Sequence, residues 1–381
     1  MSQKVKQINT YKNKVANSRT LGELIEYSKS TESHEQKLIV LKELLGYAVT
    51  LEFATIPIYL TSIWTIKDNT SKVASSIRNI LQEEMLHMSM VCNMLVGIGG
   101  EPKIYTTNNR LSFPTKLPGD VHPELFLYLE GLNDCSIRNF MEIELPDKIA
   151  DLYDYDTKEK VELTKLCDTV SDNTNEASTG HDHKYNSTIG ELYDRIDNLF
   201  KELQPKMDTE RQLAGSLAWF VMADYDSVHK AIEFIKEQGE GSEDVTPEST
   251  GIDDLAHFYR FWEVYYKKKI TEEDGKYYFK DPLPRPETFN IARIPEGGYK
   301  KENVSPEVWH LIEEFDITYS KLVMLLEDAW AEDGGGQASL VKGVEIMFNL
   351  EKYAIPLLQI PIPGNSEGLN YGPCFRILDV H

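Results

Sequence analysis

Three residues stand where an apolar side chain would be expected. In the segment around 72–97, Ile77, Ile80, Leu81, Val91, Met94 and Leu95 recur at three- and four-residue steps, the period of one helix face. Glu84 and His87 fall on that stripe. Three apart on a helix, a carboxylate and an imidazole point the same way. In the preceding segment Leu41, Leu45, Ala48, Thr55 and Tyr59 form a second stripe, and Glu52 interrupts it. A buried, unpaired carboxylate is costly, and direct coordination of a divalent cation removes that cost. The turn Asp68-Asn69-Thr70 separates the two segments. Glu52 lies 17 residues before Asn69 and Glu84 lies 15 after it. At about 1.5 Å of rise per residue, antiparallel helices bring both carboxylates to nearly the same height. A Glu84–His87 salt bridge is the plain alternative; the matching height of Glu52 favours a metal.

A second metal needs ligands from other helices. The stripe Phe126, Leu129, Asn133, Ile137, Phe140 leads to Glu144, whereas Glu142 lies on the more polar side with Arg138. Glu191 has polar neighbours at helical spacing and reads as a solvated carboxylate near a helix N-terminus. His257 sits in an aromatic cluster, where a structural histidine is the commoner outcome. His229 with Asp226 forms Asp-x-x-His, which also fits an exposed pair. His181 and His183 lie in a polar loop. The chain shows no Walker loop, no GxGxxG after a strand and no GxSxG elbow.

The elements that must position these groups are mostly helical. The pattern predicts a short helix over Leu21–Tyr27, a long one from a cap at Thr31 or Ser33 to about Lys67, and another from Ser71 to Gly97. Pro102 confirms the last stop. Residues 101–120 carry three prolines and read as an irregular crossover. Further helices are expected from Pro123 to Leu145, over Thr188–Leu203, Glu210–Gln238, Ile252–Lys269, Pro306–Ala331 and Ala338–Pro356. Residues 270–304 read as irregular. The fold class is therefore all-α: a four-helix bundle of ferritin-like type with a long crossover, plus additional C-terminal helices and irregular loops. Residues 1–35 are a lead-in, 36–268 the metal-binding bundle with a polar insertion at 168–187, and 269–381 an irregular segment and helices packed on the bundle.

Composition narrows the function. The 381 residues, 41% hydrophobic and 27% charged, are those of a globular protein. A net charge of -22 disfavours nucleic acid and anionic membranes as partners. Met1–Asn17 has no apolar core with a cleavage site, so no signal peptide is expected. Leu44–Ile66 is interrupted by Glu52 and Pro57 and reads as a buried helix, not a membrane span. The scattered Cys92, Cys135, Cys167 and Cys374 form no CxxC pair, which suggests a reduced, cytoplasmic setting.

The stretches LEFATIPIYLTSIW (51–64) and EEMLHMSMVCNMLVGIGGEP (83–102) resemble the ferritin-like family of iminophenyl-pyruvate dimer synthases, of the violacein and chromopyrrolate biosynthesis type. Phe140–Pro146, Thr188–Tyr193, Glu237–Gly241, Ala256–Phe261 and Tyr371–Phe375 fit the same family in order. The resemblance runs from about residue 36 to the end, although the synthases are much longer. It adds Glu191, His257 and Glu240 to Glu52, Glu84, His87 and Glu144 as metal ligands, and it lowers His229. It implies two iron ions, with manganese or another divalent metal as alternatives, in an O₂-dependent oxidase or oxygenase of specialised metabolism. The substrate would be a small amino-acid-derived molecule, such as an α-imino acid. An unidentified reductant and a monomer or small homo-oligomer complete the expectation. The insertion at 168–187 would cover the pocket. A ferroxidase or iron-binding protein without organic catalysis is the alternative, and a scaffold with salt-bridged carboxylates the plainest one.

Overall fold

The computed structural model describes residues 21–30, 33–107, 110–121, 125–145, 189–215, 221–239, 255–273 and 276–380. Helix α1 spans Leu21–Ser30, α2 His34–Thr65 and α3 Lys72–Gly97. From Leu51 to Thr65 every side chain of α2 is buried, so it is a central helix rather than a surface one. Pro57 lies inside it, and Thr61 Oγ1 donates to the Pro57 carbonyl at 2.7 Å. Ser71 caps α3 by accepting from Ala74 N.

Helix α4 spans Asp134–Ile143, α5 Ile189–Leu203, α6 Tyr225–Gly239 and α7 His257–Tyr266. Helices α2 and α3 pack as one pair and α4 and α7 as another, while α5 lies on α2 and α6 on α5. An aromatic trio joins the pairs. Tyr59 of α2 meets Phe140 of α4 at 4.7 Å and Phe261 of α7 at 5.2 Å between ring centroids.

The C-terminal part contributes α8 (Pro306–Trp330), α9 (Gln337–Asn349) and α10 (Glu351–Leu357). Trp64 of α2 lies against Phe315 of α8 at 6.1 Å and Phe375 of the tail at 6.0 Å. Among the described residues two short antiparallel ladders pair β1 (Thr115–Lys116) with β2 (Phe126–Leu127) and β3 (Lys268–Glu273) with β4 (Lys276–Pro282).

Several sequence boundaries are corrected. The third long helix starts at Asp134, not Pro123, because Asn133 leaves the stripe to act as a cap. Its side chain accepts from Cys135 N and Ser136 N, and Ser136 reciprocates. Of the expected helix over 210–224, the described residues 210–215 and 221–224 are not helical, because two buried amides take their backbone groups. Asn93 pairs both backbone groups of Leu213, and Gln212 pairs both of Met222. Lys267 ends α7 in a left-handed conformation at φ 58°, and the lysines that follow enter β3 instead of the helix. Residues 268–273 and 276–282 thus pair as antiparallel strands rather than irregular chain. The last expected helix breaks in two around Leu350. Cys135 is disulfide-bonded. Cys92 and Cys374 are free and buried. The insertion at 168–187, with His181 and His183, lies outside the described residues, as does Glu240.

Candidate metal centre

The two mid-helix positions of α2 and α3 meet as the matched heights predict. Donor atoms of Glu52, Glu84 and His87 lie within 4.8 Å of one another, and so do those of Glu84, Glu144 and His257. All five residues are buried. Glu84 belongs to both groups. His87 Nδ1 is 3.5 Å from Glu52 Oε2 and 3.9 Å from Glu84 Oε1. His257 Nδ1 is 2.8 Å from the same Glu84 oxygen and 3.4 Å from Glu144 Oε2. The two imidazoles lie nearly parallel, with centroids 5.6 Å apart.

Each half is built differently. Glu52, Glu84 and His87 project from the interiors of α2 and α3. Glu144 is the C-cap residue of α4, and His257 is the first residue of α7. Three hydroxyls hold the carboxylates: Thr55 donates to Glu84 at 2.8 Å, Tyr59 donates to Glu144 at 2.6 Å, and Tyr193 donates to Glu52. Burial, followed by the charges of Glu144 and Glu84, pushes the Tyr59 phenol well above its usual range. Burial and Glu52 do the same for Tyr193. Both therefore remain hydrogen-bond donors.

The electrostatics ask for cations. Burial raises the Glu84 carboxyl to about 7, and the Glu144 charge adds to the rise while His257 opposes it. Burial alone would lower both imidazoles. The carboxylates outweigh it, Glu52 and Glu84 raising His87 and Glu144 foremost raising His257 well above its ordinary value. Three carboxylates face two imidazoles, which supply at most two positive charges and only by giving up their lone pairs. His257 Nδ1, fully buried beside two carboxylates, makes no aligned hydrogen bond to either. Such a donor set fits divalent cations: nitrogen and oxygen ligands with one shared carboxylate. A cavity of about 40 Å³ lies among Glu52, Thr55, Glu84, His87, Glu144 and Tyr193. It has room for ions or a few small molecules but not for an organic substrate.

Not every expected ligand converges here. The Glu191 side chain is 45% exposed and lies 3.9 Å from Lys29 Nζ, outside both donor groups. Tyr193, two residues on, is the member of that segment that enters the site. His229 pairs with Asp197 at 3.0 Å, away from the cluster. Sequence patterning missed Glu83, Gln238 and Arg260, all buried beside the histidines. Glu83 Oε2 lies 3.1 Å from His257 Nε2, and Gln238 Oε1 lies 2.6 Å from His87 Nε2. The one available signal was the doubled Glu83-Glu84 in a helix with few exposed positions.

The bundle and this constellation define the class of protein. The chain belongs to the ferritin-like family, whose model matches residues 45–266. It is 25% identical over 339 residues to dichlorochromopyrrolate synthase from Lentzea aerocolonigenes, an alignment covering 80% of this chain and 30% of that protein. The chain thus spans less than a third of that relative's length. The crystal structure of a ferritin-like protein from Caulobacter vibrioides superposes with a TM-score of 0.56 at 17% identity, over 88% of this chain and 97% of that one.

Proposed function

We propose that the chain is a non-haem di-metal oxidase or oxygenase, with iron as the occupant that its oxygen and nitrogen ligands suit, acting on a small amino-acid-derived molecule. The observation that carries this reading is Glu84, one buried carboxylate shared by two donor groups. Glu52, Glu84 and His87 would hold one metal; Glu84, Glu144 and His257 would hold the other. Iron held by these residues would supply the electrons for O₂, chemistry that no side chain here can perform alone. Manganese or another divalent metal fits the same ligands.

The protein's own groups set the conditions. Thr55, Tyr59 and Tyr193 fix the carboxylate orientations by donating to their outer oxygens. The aromatic trio packs on the Glu144 side of the cluster through Tyr59. The cavity admits O₂ but leaves an organic substrate at its rim, where Ile143, Ile189 and Ile235 offer apolar contact and Lys236, paired with Asp194 at 2.7 Å, is a cation that a substrate carboxylate would have to share. An α-imino acid combines those features. The relation to a synthase of a biosynthetic route supports this substrate class.

The test is metal analysis of purified protein, followed by anaerobic iron loading and O₂ exposure watched by absorbance. Two metals per chain and an O₂-dependent spectral change are expected; a chain that binds no transition metal refutes the reading. A ferroxidase without organic catalysis would show the same change but assemble as a large hollow oligomer on size exclusion.

A further inference from the structure

We propose that Glu83 is a positioning residue that dictates which nitrogen both metal-facing histidines present, acting on His257 directly and on His87 through Gln238. The inference rests on the di-metal reading for its purpose but on hydrogen-bond polarity for its logic.

An ionised carboxylate can only accept hydrogen bonds. Glu83 is 1% exposed, and Arg260, itself 1% exposed, donates to its Oε2 and supplies the counter-charge. The same oxygen lies 3.1 Å from His257 Nε2, so that nitrogen must carry the proton. Glu83 Oε1 lies 3.4 Å from Gln238 Nε2, so the Gln238 amide must turn its NH₂ toward Glu83. Its carbonyl oxygen then faces His87 Nε2 at 2.6 Å, and that nitrogen too must donate. With Nε2 protonated on both rings, each neutral imidazole keeps its lone pair on Nδ1. Those are the atoms that face Glu52, Glu84 and Glu144. One carboxylate outside the donor groups thus fixes both ligand atoms, as outer partners do for metal-bound histidines generally.

The relay makes an asymmetric prediction. In Glu83→Gln the new amide keeps its oxygen toward Arg260 and His257, and its NH₂ faces Gln238. Gln238 must then turn over and offer its own NH₂ to His87, whose Nε2 becomes an acceptor. The proton moves to Nδ1 and blocks the Glu52–Glu84–His87 group, while His257 is spared. Adding Gln238→Glu restores the polarity, because a carboxylate at 238 accepts from both the new amide and His87 Nε2–H.

Two measurements test this on the full chain. Ring ¹⁵N–¹H spectra of metal-free protein, recorded at a pH high enough that both raised imidazoles are neutral, should show His87 protonated at Nε2 in the wild type, at Nδ1 in Glu83→Gln, and again at Nε2 in Glu83→Gln/Gln238→Glu. Titration with Mn²⁺ should show one of two binding steps weakened on the order of 10- to 100-fold in the single variant and regained in the double one. A role in folding alone predicts no rescue. If Glu83→Gln does not fold, Gln238→Leu gives the same reading: it should free the His87 ring and leave His257 Nε2–H in place. An unchanged His87 ring in every variant overturns the proposal. Wild-type protein that binds no Mn²⁺ fails the di-metal reading instead, and the ring spectra still decide the role of Glu83.

Discussion

Glu84→Gln is expected to act in opposite directions on the metal-free and metal-loaded protein. Burial raises the Glu84 carboxyl from 4.5 to about 7 in the folded chain, with the Glu144 charge adding to it. A carboxyl raised on folding contributes stability that is complete below its unfolded value and is lost as pH climbs through the folded one. From 4.5 to about 7, at about 1.4 kcal/mol per pH unit, the loss is on the order of 3 kcal/mol. Glutamine has the same shape and never ionises. In chelator at about pH 8 the variant should therefore be the more stable protein, by up to roughly that amount, and the advantage should vanish near pH 4. Metal reverses the order. A ligand at a hundred times its Kd stabilises the native state by about 2.7 kcal/mol, and the variant has lost the ligand common to both positions. Urea midpoints followed by circular dichroism, with chelator and with divalent metal at both pH values, measure all four states. The reasoning is refuted if Glu84→Gln is the less stable protein in chelator at about pH 8, or if metal stabilises both proteins equally.

Other expectations concern single features. Asn133→Ala removes the cap of α4 and should cost about 1 kcal/mol in urea denaturation. Tyr193→Phe strips the donor from Glu52 and should lower stability by about 1.5–3 kcal/mol, the range for bonds to charged groups, measured by the same denaturation. Burial raises Asp316 to about 6 despite its bond to Arg376, so its contribution is complete below 3.8 and lost as pH rises through about 6. Asp316→Asn should flatten the stability–pH profile across that window. Glu191→Ala should leave metal stoichiometry unchanged by elemental analysis, because its carboxylate faces Lys29 rather than the cluster.

The legible part of the site was the part carried by long regular helices. Glu52, Glu84 and His87 interrupt apolar stripes, and helix geometry alone sets their heights. Glu144 was legible for a different reason than its outcome: it ends a helix that begins eleven residues later than the pattern suggested, since Asn133 caps rather than packs. His257 sits at a helix start in an aromatic run, and no local pattern separates a ligand there from a core histidine. Glu83 was hidden because its partners, Gln238 and Arg260, lie more than 150 residues away. A buried carboxylate next to another reads as surface until its counter-ion is known. The lysines after Tyr266 misled because they suit a helix end, yet Lys267 turns the chain into a hairpin.

The different anchoring of the two donor groups bears on the order in which they would load. Glu52, Glu84 and His87 are fastened by helix backbone on both sides, so closing them around an ion requires little rearrangement. Glu144 and His257 stand at the tips of α4 and α7, as the C-cap of one and the first residue of the other. The negative end of the α4 dipole adds to the charge of Glu144, while the positive end of α7 faces the carboxylates. A first ion should therefore settle between α2 and α3, and the second should arrive at the group held by helix ends rather than helix interiors.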